Sequence, residues 1–209
     1  MIRTFVAVEL EAEVRRAIGR LQDDMREKLK PDLKALAPQA RLQWVRADSI
    51  HLTVKFLGDV EESRVEQMCR ALAQVAEAMS PILLDITGVG VFPDLRAPRV
   101  LWLGLSDPAG RPGQVDTLVR VAGMVDAALS GLGFSPETRP FSPHLTLARI
   151  KEQSRGVGQA LAQSDVMQHA ASAGALHVRA LSLMESQLRP SGAVYTRLCE
   201  APLVKSDPF

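Results

Sequence analysis

The chain has 209 residues, of which 46% are hydrophobic, and its 25 Lys and Arg against 24 Asp and Glu leave a formal net charge of +1. The apolar content is too high for a disordered chain, and the charge balance excludes a strongly basic, phosphate-tracking protein. No apolar run approaches the ~18 residues of a membrane span, and residues 1–9 lack the apolar core of a secretory signal. Two cysteines, Cys69 and Cys199, are too few for a disulfide framework, so the sequence predicts a cytoplasmic protein with no membrane association.

Hydrophobic periodicity predicts helices and strands interspersed along the chain. Apolar runs and alternation predict strands at 5–8, 42–45, 50–57, 81–92, 99–105, 144–149, 176–184 and 194–199. Apolar residues three or four apart predict helices at 11–29, 61–79 and 115–129, with a shorter one around 157–161. Pro31 and Pro38 should end the first helix, and residues 190–192 should form the last turn. Because several strands are joined by short links, this order favours an α+β fold with antiparallel pairing.

Two of the strands carry the same short motif, at residues 51–53 (His-Leu-Thr) and 144–146 (His-Leu-Thr). Side chains alternate across a strand, so each imidazole shares one face with its hydroxyl while the leucine faces the core. A helix leads into each motif, and a helix and two strands follow it, which indicates two duplicated lobes that face each other. One neutral and one charged imidazole suit acid–base chemistry on a phosphodiester, and the hydroxyls can donate to phosphoryl oxygens without a metal.

A metal site is the competing interpretation of these histidines. A hydrolase that used them as ligands would need a third His or a carboxylate on the same strand face, and the sequence offers none there. The other two histidines, His169 and His177, match no such motif and are interpreted as surface or packing residues.

Alternation also predicts the orientation of the residues that follow the first motif, and we assign roles to the other aromatic residues beside it. Lys55 has the parity to reach an RNA backbone, but we interpret it as a solvated lysine. Phe56 has core parity, so we do not expect it to stack on a base. Trp44 and Trp102 are expected to pack, whereas Tyr195 fits either packing or binding.

Several segments in order carry a resemblance to a known family. They are R-T-F-V-A-V at 3–8, W-V at 44–45, H-L-T-V-K-F-L-G at 51–58, G-V-G-V-F-P at 88–93, R-V-L-W at 99–102, F-S-P-H-L-T-L-A-R at 141–149, E-S at 185–186 and G-A-V-Y at 192–195. Together they resemble the 2H phosphoesterase superfamily, which is named for two H-x-T/S motifs. The chain looks most similar to the bacterial and archaeal RNA 2′,3′-cyclic phosphodiesterases, also called 2′-5′ RNA ligases.

The resemblance implies one domain over residues 1–209, made of two interleaved, pseudo-symmetric lobes. Each lobe would contribute an antiparallel sheet with flanking helices, and a groove would lie between the two sheets. The implied activity is hydrolysis of a terminal RNA 2′,3′-cyclic phosphate to a 2′-phosphate, with no metal and no cofactor. RNA or nucleotides with cyclic phosphate ends would be the partners, and we expect a monomer.

The resemblance also implies residue roles. His51 would be the proton donor to the departing 3′ oxygen, and His144 would be the proton acceptor that activates water. Thr53 and Thr146 would bind the phosphate and stabilise charge in the transition state. Arg149 would contact the phosphate as well, although its odd offset from His144 predicts the opposite face of the strand. Either the strand ends or bulges near Ala148, or Arg149 is a structural surface charge.

Two other functions are compatible with the same motifs. The first is ligation of a 2′,3′-cyclic end to a 5′-hydroxyl, which the two histidines would serve equally well; the large excess of water favours hydrolysis by mass action. The second is an RNA-end binding module without catalysis, and the presence of both histidines and both threonines argues against it.

Overall fold

The computed structural model describes residues 1–167, 172–189 and 192–204, and within these ranges it contains nine strands and four α-helices. The strands are β1 (Ile2–Glu9), β2 (Arg41–Trp44), β3 (His51–Val60), β4 (Ile82–Phe92), β5 (Val100–Ser106), β6 (Leu145–Glu152), β7 (Ser172–Val178), β8 (Ala180–Arg189) and β9 (Gly192–Pro202). The helices are α1 (Ala12–Leu36), α2 (Val65–Glu77), α3 (Gln114–Ser130) and α4 (Ser154–Gln163). The predicted α+β class is confirmed.

All strand pairs are antiparallel, and they form a single sheet in the order β7-β4-β5-β6-β3-β1-β8-β9, with β2 paired to β6. The half containing β4, β5 and β6 meets the half containing β1, β3 and β8 at the β3–β6 junction. Only one residue pair, Leu52 with Leu145, is in register there. The two lobes are therefore joined where the two motif strands meet.

The helices cover one face of this sheet. α1 packs on α4 and β7, and α2 packs on α3. α2 also packs on β8 and β9, whereas α3 packs on β3 and β4. Leu52 and Leu145 lie in the core under the helices and are completely buried. A second, small apolar cluster of Phe5, Ala7 and Met184, flanked by Tyr195, lies apart from that core. The histidines and threonines of the motifs alternate with the core leucines and so occupy the face opposite the helices, which we call the groove face.

Two predicted boundaries are wrong. α1 continues through Pro31, which leaves the Glu27 carbonyl without its helical donor; both residues are exposed, so water can serve that carbonyl. The single strand predicted at 176–184 is two strands, because β7 pairs with β4 in one half of the sheet and β8 pairs with β1 in the other. The break falls at Arg179, where the chain crosses between the halves.

Of the two histidines outside the motifs, only His177 lies within the described residues. His177 lies in β7 with its Nδ1 3.4 Å from the Glu11 carboxylate, as a surface residue should. His169 and the first two residues of the predicted turn at 190–192 lie outside the described residues. No helix in the described ranges has both the length and the apolar character needed to cross a membrane.

Cys69 of α2 and Cys199 of β9 form a disulfide with a Cα–Cα distance of 6.1 Å. The packing of α2 against β9 brings the two residues together although they are 130 positions apart in the sequence. The bridge ties the helical layer to the edge strand. Since disulfides persist in oxidising environments, this pairing does not support the cytoplasmic location expected from the cysteine count.

Candidate active site

The two motif histidines lie at the junction between the halves of the sheet. His51 and His144 directly precede Leu52 and Leu145, the only residues through which β3 and β6 pair. Both histidines and both motif threonines are half-buried, whereas the two leucines are fully buried. The antiparallel junction thus brings the imidazole and hydroxyl of each lobe to one place on the groove face.

The two imidazoles are held in the same way. His51 Nδ1 is 2.9 Å from the carbonyl of Ser49, and His144 Nδ1 is 2.8 Å from the carbonyl of Ser142. A carbonyl only accepts, so each Nδ1 carries the hydrogen and donates it. This tautomer leaves Nε2 of each neutral ring as a base, and protonation converts the same nitrogen into an acid. Both histidines therefore present a proton-transfer atom whose orientation is set by the backbone.

Each histidine is also bracketed by two aromatic rings. Phe5 lies 4.7 Å from the His51 ring centroid, and Tyr195 meets His51 edge-on at 5.0 Å. On the other side, His144 has comparable neighbours in Phe92, edge-on at 5.0 Å, and Trp102 at 6.3 Å. These contacts restrict ring rotation and exclude water from one side of each imidazole. Alternation within the motif strands gives no signal for Phe5 and Phe92, since both lie on neighbouring strands.

Trp102 occupies its position because Gly90 lies opposite it in β4. A Cβ at residue 90 would lie 2.1 Å from the indole ring, so only glycine leaves room for it. Trp102 packs against the sheet as predicted, and it does so on the groove face beside His144. Trp44 packs against the main core, also as predicted, with the Arg26 guanidinium 4.8 Å from its ring centroid.

The environment of His51 disfavours its charged form. Burial lowers the pKa of His51 below the ordinary 6.5, and the positive charges of Arg149 and Arg15 lower it further. The hydrogen bond to Ser49 and the carboxylate of Glu9 act in the opposite direction without cancelling the effect of burial. Arg149 thus acts electrostatically on a histidine of the other lobe.

A β-bulge in β3 changes the predicted orientation of the residues after Thr53. Ala7 pairs with Thr53 and Val6 with Lys55, so Val54 is an extra residue with no partner on β1. Val54 and Lys55 are both buried, and Phe56 is 60% exposed. The prediction that Phe56 has core parity is therefore wrong, because the bulge shifts the alternation by one residue. Phe56 lies on the groove face, 6.1 Å from Phe5.

Lys55 is turned the opposite way by the same bulge. It is 3% exposed, and its Nζ donates to Asp126 Oδ1 over 2.5 Å and to the carbonyl of Ser135 over 2.8 Å. The interpretation of Lys55 as a solvated lysine is thus wrong. Asp126 also accepts from the N–H of Glu137, so the pair ties β3 to the segment that leads to His144.

β6 contains a bulge at the equivalent position. Trp102 pairs with Thr146 and Leu101 with Ala148, which leaves Leu147 as the extra residue. Leu147 and Ala148 are both fully buried, and Arg149 is exposed. The bulge returns Arg149 to the face of His144, so the strand does bulge next to Ala148. Phe56 and Arg149 occupy the same position in the two motifs, five residues after each histidine.

The described residues contain no group of three or more His, Cys, Asp or Glu side chains placed to hold a metal ion. What the groove face does assemble is two oriented imidazoles, two hydroxyls and one guanidinium, from β3, β6 and the residue just before β6. This set can exchange protons with a substrate and donate hydrogen bonds to an anion.

Comparisons with known proteins agree with the motif resemblance. The chain matches the family model described as LigT like Phosphoesterase over residues 8–102 and 110–195. It is 30% identical over 195 residues to the RNA 2′,3′-cyclic phosphodiesterase of Methanothermobacter thermautotrophicus, covering 93% of this chain and 95% of that protein. A protein of the same name from Archaeoglobus fulgidus is 31% identical over 197 residues, covering 94% and 98%.

The fold is also similar to solved structures. The crystal structure of E. coli LigT complexed with 3′-AMP has a TM-score of 0.65 and 27% identity, covering 98% of this chain and 99% of that one. The Thermus thermophilus protein TT0787 has a TM-score of 0.70 and 25% identity, covering 97% and 98%. The resemblance inferred from the motifs is confirmed.

Proposed function

The chain belongs to the LigT-like phosphoesterase family of 2H phosphoesterases, and we propose that it hydrolyses terminal RNA 2′,3′-cyclic phosphates to 2′-phosphomonoesters. The observation that carries this proposal is the matched anchoring of His51 and His144, each of which donates Nδ1–H to a backbone carbonyl and keeps Nε2 for chemistry. Two such groups are what a metal-free acid–base mechanism requires.

The proposed reaction is one displacement at phosphorus. His144 Nε2 accepts a proton from water while the water oxygen forms a bond to phosphorus. The bond between phosphorus and O3′ breaks, and protonated His51 gives its Nε2 proton to that oxygen. The products are a 2′-phosphate and a free 3′-hydroxyl, and the two histidines exchange protonation states before the next turnover.

The other polar groups of the groove would stabilise charge on the phosphoryl oxygens. Thr53 and Thr146 each have one hydroxyl donor on the groove face, and Arg149 has a guanidinium there. The anionic substrate would also favour the charged form of His51, which the free protein disfavours through burial and nearby arginines. Substrate binding would thereby help to load the proton donor.

Phe56 would bind the base of the terminal nucleotide. It is 60% exposed, it lies on the groove face, and the bulge that exposes it corresponds to the one that exposes Arg149. An exposed ring of this kind offers a stacking surface that accepts any base.

The test is turnover of an oligonucleotide with a 2′,3′-cyclic phosphate end, after exhaustive treatment with EDTA. We expect full activity and a 2′-phosphate product. Loss of activity that a divalent ion restores would overturn the metal-free mechanism, and a 3′-phosphate would reverse the orientation of the substrate. Adding an RNA with a 5′-hydroxyl measures ligation at the same site, and a net ligation product would replace hydrolysis as the function.

We propose further that residues 1–209 act as one domain and as a monomer, since a single chain supplies both motifs of the groove. The cytoplasmic location remains a prediction from the sequence. A cytoplasmic protein of this kind would keep Cys69 and Cys199 reduced, and thiol labelling of protein freshly released from cells distinguishes the two states.

A further inference from the structure

Gln22 places a polar side chain on the buried face of α1. The other buried residues of this helix are apolar: Val14, Ile18, Met25 and Leu29. Gln22 is only 2% exposed, so its amide needs partners inside the protein. Its Nε2 donates to the carbonyl of Leu147 over 3.0 Å and to the carbonyl of Val45 over 2.9 Å.

The carbonyl that Gln22 binds belongs to the bulge of β6. Leu147 is the extra residue of that bulge, and its carbonyl also accepts from the N–H of Val45 over 2.8 Å. Both lone pairs of the oxygen are thus used, one by the backbone and one by the Gln22 amide. Gln22 fastens the bulge to the segment that follows β2.

We propose that Gln22 is a positioning residue for Arg149, because its amide holds the bulge that turns the guanidinium onto the groove face. The inference rests on the proposed phosphate role of Arg149. Without the bulge, strict alternation would direct Arg149 into the core, where Ala148 now lies with no exposed surface. A guanidinium is costly there, so the strand would shift or fray and the charge would lose its fixed position.

The other lobe contains a corresponding anchor. Lys55 directly follows the bulge residue Val54, and Asp126 of α3 binds its Nζ from the helical layer. In both lobes a polar helix residue therefore meets the motif strand at its bulge. In both lobes, also, the residue two positions beyond the bulge faces the groove, as Phe56 or Arg149.

The test of activity is a double-mutant cycle on a dinucleotide with a 2′,3′-cyclic phosphate. Gln22→Met keeps the length of the side chain and removes its donor, and we expect kcat/KM to fall by about tenfold. In the Arg149→Ala background, the same change should have almost no further effect. Ile18→Val, a small packing change on the same helix face, is the matched control and should leave kcat/KM unchanged.

The outcomes separate the two proposals. If Arg149→Ala alone has wild-type activity, the phosphate role of Arg149 is wrong. If Gln22→Met costs as much in the Arg149→Ala background as in the wild type, Gln22 acts independently of Arg149 and the inference is overturned. Circular dichroism checks the fold of each variant, and Gln22→Asn, whose amide is one methylene too short to reach, replaces Gln22→Met if that variant does not fold.

The pKa of His51 gives a second test of the inference, which does not depend on measuring catalysis. Arg149 contributes to the lowered pKa of His51, so withdrawing its charge raises that pKa. An NMR titration of the His51 ring in the free protein should show the same upward shift in Gln22→Met as in Arg149→Ala, and none in Ile18→Val. A His51 pKa that moves in Arg149→Ala but not in Gln22→Met would overturn the inference.

Discussion

Leu52 and Leu145 are paired across β3 and β6, and this single pair joins the two halves of the sheet. Both side chains are fully buried in the main core. Each is preceded by a motif histidine and followed by a motif threonine, so the packing of two leucines sets how the two lobes present their polar groups. The catalytic geometry that we propose therefore depends on the core directly beneath it.

The two histidines are expected to be essential for turnover and dispensable for folding. His51→Ala and His144→Ala should each lower kcat by about 10²-fold or more, because each removes a proton-transfer group. His177→Ala is the control, since His177 belongs to neither motif and lies on β7, where its ring contacts the Glu11 carboxylate. Circular dichroism and steady-state kinetics on a cyclic-phosphate oligonucleotide check this prediction; near-normal turnover in either motif variant would contradict the two-histidine mechanism.

The motif threonines should act on the transition state. Thr53→Val and Thr146→Val keep the shape and strand propensity of the side chain and remove one donor each. By analogy with the loss of an oxyanion-hole donor, we expect a loss of about 2–4 kcal/mol in transition-state stabilisation, seen as a lower kcat. A higher KM with unchanged kcat would instead assign the threonines to substrate binding alone.

The pH profile of kcat/KM should have an alkaline limb, on which the proton donor His51 loses its proton. His51 must be protonated to act as the donor, and its protonated fraction falls as the pH rises through its pKa. Because burial lowers that pKa, the alkaline limb should lie below the position that an ordinary imidazole of pKa 6.5 would give. Tyr195→Ala opens His51 to water and should move the limb to higher pH, whereas Tyr195→Phe keeps the ring and should not. A limb that stays in place in Tyr195→Ala would show that burial does not set the pKa of His51.

Phe56 should contribute to binding through the base. Phe56→Ala should weaken binding of a cyclic-phosphate nucleotide by about 1–3 kcal/mol, the usual contribution of one base–aromatic stack. Ribose 2′,3′-cyclic phosphate, which has no base, should be hydrolysed equally well by the variant and the wild type. Measurement of KM for both substrates checks this; equal losses on both would mean that Phe56 shapes the groove without contacting the base.

The buried pair of Lys55 and Asp126 should affect stability unequally. The Lys55 side chain is 2% exposed and that of Asp126 is 25% exposed. Asp126→Ala leaves a buried ammonium with only the Ser135 carbonyl and should cost about 3–5 kcal/mol in the free energy of unfolding. Lys55→Met leaves a carboxylate that water can reach and should cost less. Urea unfolding of both variants measures the difference, and an equal or reversed order would contradict it.

The same pair should add an acid-dependent contribution to stability. The hydrogen bond from Lys55 lowers the pKa of Asp126 below its ordinary 3.8. Its contribution is therefore complete above the unfolded value and is lost as the pH falls through the lower pKa of the folded state. Unfolding at pH values from 5 downward should show a decline that is smaller in Lys55→Met. A decline of equal size in that variant would mean that other carboxylates cause it.

The sequence by itself determined the α+β class, the family and the core position of both motif leucines. It also determined the element order, except that the one strand predicted at 176–184 is the two strands β7 and β8. Each of these depends on a local pattern, either the alternation of side chains along a strand or a run of family residues such as 143–149. Alternation over residues 51–53 and 144–146 was sufficient to place each histidine on the same face as its threonine.

Tertiary structure decided the orientation of the residues that follow each motif threonine in its strand. The bulges at Val54 and Leu147 reverse the alternation, so Lys55 is buried while Phe56 and Arg149 reach the groove face. No local pattern marks a bulge, because it depends on the register with the neighbouring strand and on which core-side groups meet the strand. The Cys69–Cys199 bridge has the same origin, since α2 and β9 come together only in the folded chain. The alternation of side chains is a property of one strand, whereas the register is a property of two neighbouring strands. The register therefore determines which residues after each threonine lie on the groove face.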